Sequence, residues 1–218
     1  EAAVTWLREK GISKAAKKVS RIAAEGVCSY KIEGNKAVTF EVNCETDFVA
    51  KSPKFAELVD EIGTALLAKC PASDEAALEV EYNGVKVSEF LVNATATIGE
   101  KISLRRVEVY EKNDNQVFGA YSHMQGKIVA LCVLDGEKEE VAKDVCMHVA
   151  AMSPKYLDKN SIDPEYIAKE TEILKQEALN EGKPAAIVDK MVVGRLQKSL
   201  KEVCLVEQSF VKDPDQTV

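Results

Sequence analysis

Over residues 38–43 apolar and polar side chains alternate without a break. Val38, Phe40 and Val42 face one way, and Thr39, Glu41 and Asn43 the other, which is the two-residue period of a half-buried strand. Upstream, Cys28, Tyr30 and Ile32 alternate in the same manner, and Gly34-Asn35 is a two-residue turn signal, so 27–43 is predicted as a β-hairpin. The alternation ends in the polar run 43–46. Ser52-Pro53 then reads as an N-cap followed by a first helical residue, opening a helix over 53–69 that places Phe55, Leu58, Val59, Ile62 and Leu66 on one stripe. A loop around 71–75, a segment of moderate helical or strand character and a strand over 102–110 follow.

Beyond the polar run 112–116 the outline repeats. A hairpin spans 117–134 through Met124-Gln125-Gly126, and a helix from about 137 to 152 carries a Val141, Val145, Val149 stripe flanked by Ala142 and Met152. The run 128–134 is apolar almost throughout, as in a strand covered on both faces. Segments 163–181 and 184–203 are helical. Gly182 ends the first and Pro184 starts the second, so they fold back on each other. Their seam is narrow, with Ile167, Thr171, Leu174 and Ala178 facing Val188, Val192, Leu196 and Leu200, the pattern of an antiparallel coiled coil. At the start, 1–10 reads as an amphipathic helix with Ala3, Val4 and Leu7 on one face, Trp6 bordering it and Gly11 as its stop. Lys14, Lys17, Lys18 and Arg21 among alanines read as a solvated helical linker. The fold class expected is α+β: two similar subdomains, each a β-hairpin-containing antiparallel sheet with a packed helix, plus the helical hairpin. The corresponding domains are 1–25 (helix and linker), 26–112 (first subdomain) and 113–218 (second subdomain, with the helical hairpin 163–203 inserted).

Composition narrows the function. With 218 residues, 46% of them apolar and 30% charged, the chain can bury one or two ordinary cores. A net charge of −7 argues against a nucleic-acid binder, whose affinity comes from clustered Lys and Arg, and no aromatic residue interleaves the basic run 14–21. Protein partners are expected instead. No apolar run approaches the ~20 residues of a membrane span. The six cysteines are scattered without a C-x-x-C pair, and Cys132 and Cys146 lie in apolar periodic segments, which implies a reducing compartment.

Candidate chemistry is sparse. The sequence has no phosphate-binding glycine loop, no zinc ligand set and only two histidines, so neither a cofactor nor a metal site is expected. His148 sits beside a helix stripe and reads as a packed structural histidine, whereas His123 lies at a hairpin tip between Ser122 and Met124. The most unusual stretch is Thr46-Asp47-Phe48-Val49, a carboxylate and a large ring in a short connection. Either Asp47 caps a turn while Phe48 folds inward, or the ring is presented to something that receives it. Two rival readings are a scaffold dimerising through the helical hairpin and a thiol enzyme using Cys44 at the same turn.

The run 41–51 resembles the sequence motif of the elongation factor Ts family, the guanine nucleotide exchange factors of elongation factor Tu. Further pieces match in the same order: Lys14-Ala15-Ala16-Lys17-Lys18, Ile98-Gly99-Glu100 leading to Leu104-Arg105-Arg106, His123 in its hairpin, Met147-His148-Val149-Ala150-Ala151, and Gly182-Lys183-Pro184. The resemblance implies a non-enzymatic partner of elongation factor Tu, in its GDP-bound and nucleotide-free states. The implied contacts are Thr46, Asp47, Phe48, Val49, Ile98, Gly99 and His123. It further implies a short helix before Ile98-Gly99, a protruding coiled coil at 163–203 that contacts either elongation factor Tu or another copy, and a bacterial cytoplasmic setting, with an organellar form the alternative. Residues 1–10 would be the last helix of a three-helix N-terminal domain; read from the residues alone, the segment ending at Val218 is the approach to a final strand.

Overall fold

A computed structural model describes the backbone of residues 2–218 and the side chains of residues 5, 6 and 9–218. The chain is α+β, with several small antiparallel sheets and packed helices, and it divides into two compact units, Glu1–Cys146 and Met147–Val218.

The first unit is built on strands β1 (Glu25–Glu33) and β2 (Lys36–Cys44), joined by the two-residue turn at Gly34-Asn35 with Glu33 opposite Lys36. Strand β5 (Ser103–Glu111) pairs with the free edge of β2, giving the antiparallel order β1-β2-β5. The alternation along β2 turns Val38, Phe40, Val42 and Cys44 inward, against helix α3 (Pro53–Lys69). The α3 stripe is the expected one, Phe55, Leu58, Val59, Ile62 and Leu66, with Gly63 and Ala65 filling beside it. Ser52 caps α3 by accepting from the Phe55 N–H, and Pro53 occupies its first turn. Where β2 and β5 change register, Arg106 takes a left-handed φ of 54°, and the Asp74 carboxylate accepts both freed N–H groups, Arg106 at 2.9 Å and Val107 at 2.7 Å. The weakly patterned middle segment resolves into α4 (Asp74–Leu78), a small hairpin of β3 (Glu81–Tyr82) and β4 (Val85–Lys86), and α5 (Val87–Ile98).

The N-terminal expectation needs correction. Helix α1 does not stop at Gly11 but runs from Ala2 to Ala16. Gly11 is instead a site of close approach to α5, where an added Cβ would lie 3.3 Å from that of Ala96. The expected face of Ala3, Val4 and Leu7 lies outside the described residues. Nor does the helix continue as a linker to residue 25: after Ala16 the chain leaves it, and Lys18 and Arg21 hydrogen-bond to the body rather than only to water.

Strands β6 (Gln116–His123) and β7 (Ile128–Asp135) form the second predicted hairpin. Because only these two strands pair, most of β7 is half-buried rather than covered on both faces. Helix α6 (Glu139–Met152) packs on this ribbon through Ala142 and Cys146, both 0% exposed, while Val141, expected in the stripe, is 48% exposed. Gly119 explains the rotation. With no side chain there, the helix backbone at Ala142 settles directly on the strand.

In the second unit, α7 (Pro164–Asn180) and α8 (Ala185–Val203) pair along the predicted seam, with Ala178, Val188, Val192 and Leu174 at its centre. An Arg195–Glu181 ion pair of 2.7 Å closes it near the turn. A final ribbon of β8 (Ser209–Phe210) and β9 (Asp213–Thr217) follows. His148 is 0% exposed and structural, as expected. Gln208 donates from Nε2 to the Glu202 carbonyl, so its Oε1 accepts from His148 Nε2 at 2.9 Å, and His148 Nδ1 accepts from the Val211 N–H at 3.2 Å.

A Cβ at position 119 would lie 2.3 Å from the Ala142 carbonyl carbon and oxygen. Gly119→Ala is expected to destabilise the fold by about 1–3 kcal/mol, the usual range for overpacking. Urea denaturation checks this, and an unchanged midpoint would contradict the close strand–helix contact.

Candidate partner-binding surface

The site is built where β2 ends. Thr46 is extended (φ −125°, ψ 153°) and is the N-cap of a one-turn helix, α2 (Asp47–Ala50), its hydroxyl accepting from the Val49 N–H at 3.4 Å. Only Val49 and Ala50 of this turn pack against the core of the first unit. At about 100° per residue, Phe48 lies roughly 150° around the helix from the direction midway between them. The ring is therefore set outward, and it is 83% exposed. Asp47 is partly exposed and pairs with Lys51 at 2.7 Å, which holds its carboxyl below the usual range through that hydrogen bond first and the ammonium's charge second.

Four residues cannot hold a helical turn unaided. In a capping box the third helical residue would be Glu or Gln and would accept the N-cap N–H, but here that residue is Val49. Glu100 takes the role from a distance. Its Oε2 accepts the Glu45 and Thr46 N–H groups, both at 3.0 Å, and its Oε1 accepts the Thr46 hydroxyl at 2.6 Å. Glu45 reciprocates by accepting the Lys101 N–H at 2.7 Å. Gly99, the C-cap of α5 at φ 90°, turns the chain so that Glu100 can reach. Ile98, just before it, is half-buried against the core. The segment after α1 closes over the same corner: the Lys18 ammonium donates to the Gly99 carbonyl, Lys101 Nζ to the carbonyls of Val19 (2.6 Å) and Arg21 (3.0 Å), and Arg21 pairs with Glu45 at 3.4 Å.

The structure thus joins Thr46, Asp47, Phe48 and Val49 to Ile98 and Gly99 through the reciprocal carboxylates of Glu100 and Glu45. His123 does not share in that hydrogen bonding. It is exposed at the end of β6, stacked on Tyr121 with centroids 6.0 Å apart, and its Nδ1 lies 3.3 Å from the Tyr121 hydroxyl. The residues that sequence reasoning did not nominate are Glu45, Glu100, Lys101, Lys18 and Arg21. Glu100 sits inside a quoted motif, but its partners are 54 and 55 residues away, and no local pattern announces such a pairing. Cys44 does not suit a thiol enzyme. It is 0% exposed, and burial, then the charge of Glu100, pushes its thiol up to about 11.

Fold and site together define an α+β protein that carries an outward aromatic ring on a braced one-turn helix, with a histidine-bearing hairpin in the same unit. The family model for elongation factor TS matches residues 45–218, and the chain belongs to that family of translation elongation factors, whose role is nucleotide exchange and whose implied partner is elongation factor Tu.

The brace carries a pH dependence. The Lys101 N–H bond, and after it Arg21, hold the Glu45 carboxyl below its ordinary value of 4.5 in the folded state. A depressed carboxylate stabilises the fold above its unfolded pKa and loses that contribution as pH falls through the folded one. Urea midpoints measured downward from about pH 5 are expected to fall less steeply for Glu45→Gln than for the parent. Identical slopes would remove Glu45 from the brace.

Proposed function

We propose that this chain promotes GDP release from elongation factor Tu by inserting Phe48 into a crevice between helices of its nucleotide-binding domain, with Asp47 fixing the approach by hydrogen bonding. The observation that carries this reading is the exposure of Phe48, 83%, on a turn that is otherwise capped, ion-paired and clamped. An exposed ring on a floppy loop would gain little on docking, because ordering the loop would consume the gain. On a braced turn that cost is already met.

The physics is reciprocal coupling. A GTPase holds its nucleotide by backbone amides around the phosphates and by a Mg²⁺ that bridges phosphate oxygens to protein hydroxyl and carboxylate groups. A factor that binds more tightly when those parts are displaced weakens the nucleotide by the same factor. Both GDP-bound and nucleotide-free forms are therefore its partners, and no covalent bond is made or broken. Burying one phenylalanine supplies about 1.5–3 kcal/mol, or about one to two decades of coupling. The rest comes from a wider interface: Thr46, Val49, Ile98 and Gly99 around the ring, His123 on its hairpin, and the α7–α8 hairpin, whose exposed Ile173, Ile187 and Val193 offer a further contact surface for elongation factor Tu or a second copy. The net charge of −7 supports a protein partner over a direct nucleic-acid one.

Stopped-flow release of fluorescent GDP tests the wedge. Phe48→Ala is expected to slow release by about 10–100-fold, with stability changed by no more than about 0.5 kcal/mol, as for other exposed positions. Unchanged release would overturn the reading. His123→Ala is expected to slow release by a smaller factor with the melting temperature retained, and a parental rate would remove it from the surface.

A further inference from the structure

The β6–β7 hairpin meets the first sheet at its tip, and the meeting point is specific. The Cys28 N–H donates to the Gly126 carbonyl at 2.7 Å, an outlying bond that belongs to neither ladder. Gly126 is buried there at φ 86°, and a Cβ on it would lie 2.7 Å from the Cys28 carbonyl oxygen and 3.0 Å from the Val27 Cβ. Beside it, the Lys127 ammonium pairs with the Glu25 carboxylate. Glu25 is itself the β1 partner of Cys44, the last residue of β2 before the Phe48 turn. Lys127 also feels the charge of Asp47. The tip residues Met124 and Gln125 both hold left-handed φ values, 50° and 56°, and Met124 is 66% exposed, so the loop is shaped to carry an apolar side chain outward next to His123.

We propose that the Lys127–Glu25 ion pair and the Cys28–Gly126 hydrogen bond are a positioning staple: they fix the hairpin tip, with His123 and Met124, relative to the Phe48 turn, so that both meet the partner as one preset surface. This rests on the exchange reading above and assigns positioning roles to Lys127, Glu25 and Gly126. The geometry favours a positioning role over a stabilising one. An ion pair with side chains 45% and 38% exposed adds little to global stability, yet it acts at the tip of a two-stranded ribbon whose base is tied separately, by the Lys112 N–H to the Asn35 carbonyl at 3.0 Å and the Asn35 amide to Asp114 at 2.9 Å. Alignment is what such a pair can change.

The test uses the full chain and elongation factor Tu loaded with fluorescent GDP, with hydrogen exchange at the Cys28 amide measured on the chain alone. Lys127→Glu is expected to lower the maximal release rate about three- to tenfold, to leave the melting temperature at the parental value, and to speed exchange of the Cys28 amide. Gly126→Ala, which forces the same contact open sterically, is expected to slow release and speed exchange of the Cys28 amide as well, with a lowered melting temperature because its left-handed φ and backbone clash add strain. The double variant Glu25→Lys/Lys127→Glu restores the pair with its charges exchanged, and is expected to recover both the release rate and the amide protection. If the double variant stays as slow as Lys127→Glu, Lys127 acts on the partner directly and the proposal falls. It falls equally if Lys127→Glu matches the parent in both release and amide exchange. Phe48→Ala run in parallel separates the two ideas. Loss of release in Phe48→Ala with none in the staple variants sinks the staple alone. A parental Phe48→Ala sinks the wedge, while the Cys28 amide still decides whether the pair holds the tip.

Discussion

The surface depends first on the carboxylate of Glu100. Glu100 accepts two backbone N–H groups and a hydroxyl from Glu45 and Thr46, and without it the turn after β2 would have three polar groups in search of partners and a helix too short to persist. Its placement follows from Gly99, whose left-handed conformation redirects the chain at the end of α5. The clamp therefore ties two distant stretches of sequence into one corner. Val49 and Ala50 point into the core from that corner, and the helical period then leaves Phe48 nowhere to go but outward. The exposed ring is a consequence of how the turn is anchored.

Much of this was legible in the chain, for physical reasons that can be named. The β1–β2 hairpin and α3 announce themselves because one face of each is buried, so period and burial coincide, and because Gly34-Asn35 and Ser52-Pro53 are local signals. The α7–α8 seam was readable on the same grounds. Reading failed where a missing side chain did the deciding. Gly11 looks like a helix stop, since glycine commonly ends helices, but here it admits α5. Val141 looks like a core position by period, yet the absence of a side chain at Gly119 draws Ala142 onto the strand and turns Val141 to the surface. A close approach between two elements leaves no trace in the hydrophobic pattern of either one.

The site divides along the same line. Thr46 to Val49 is contiguous, so its chemistry stands out as a local oddity. Glu100, Lys101, Lys18 and Arg21 contribute through backbone groups and ion pairs that form only once the fold exists, and as isolated charges they read as solvated surface. Recognition of a motif can mark Ile98-Gly99-Glu100 as important without disclosing that its carboxylate braces a turn 54 residues away.

Asp47 illustrates what a braced turn permits. Its carboxylate is already engaged with Lys51, four residues on in the favourable order for a helix. A hydrogen bond to an incoming partner must therefore compete with that pair or share it. The competition is mild, because the Lys51 side chain is exposed, that of Asp47 is half exposed, and water already screens their attraction. Docking that excludes water strengthens whichever hydrogen bond the carboxylate then makes, and this offsets the cost of stripping its water and its Lys51 partner. Until contact, the Lys51 pair favours the carboxylate form and holds that carboxylate on the turn. Position is thus fixed in advance, and under the proposed docking the partner would supply the donor and the crevice.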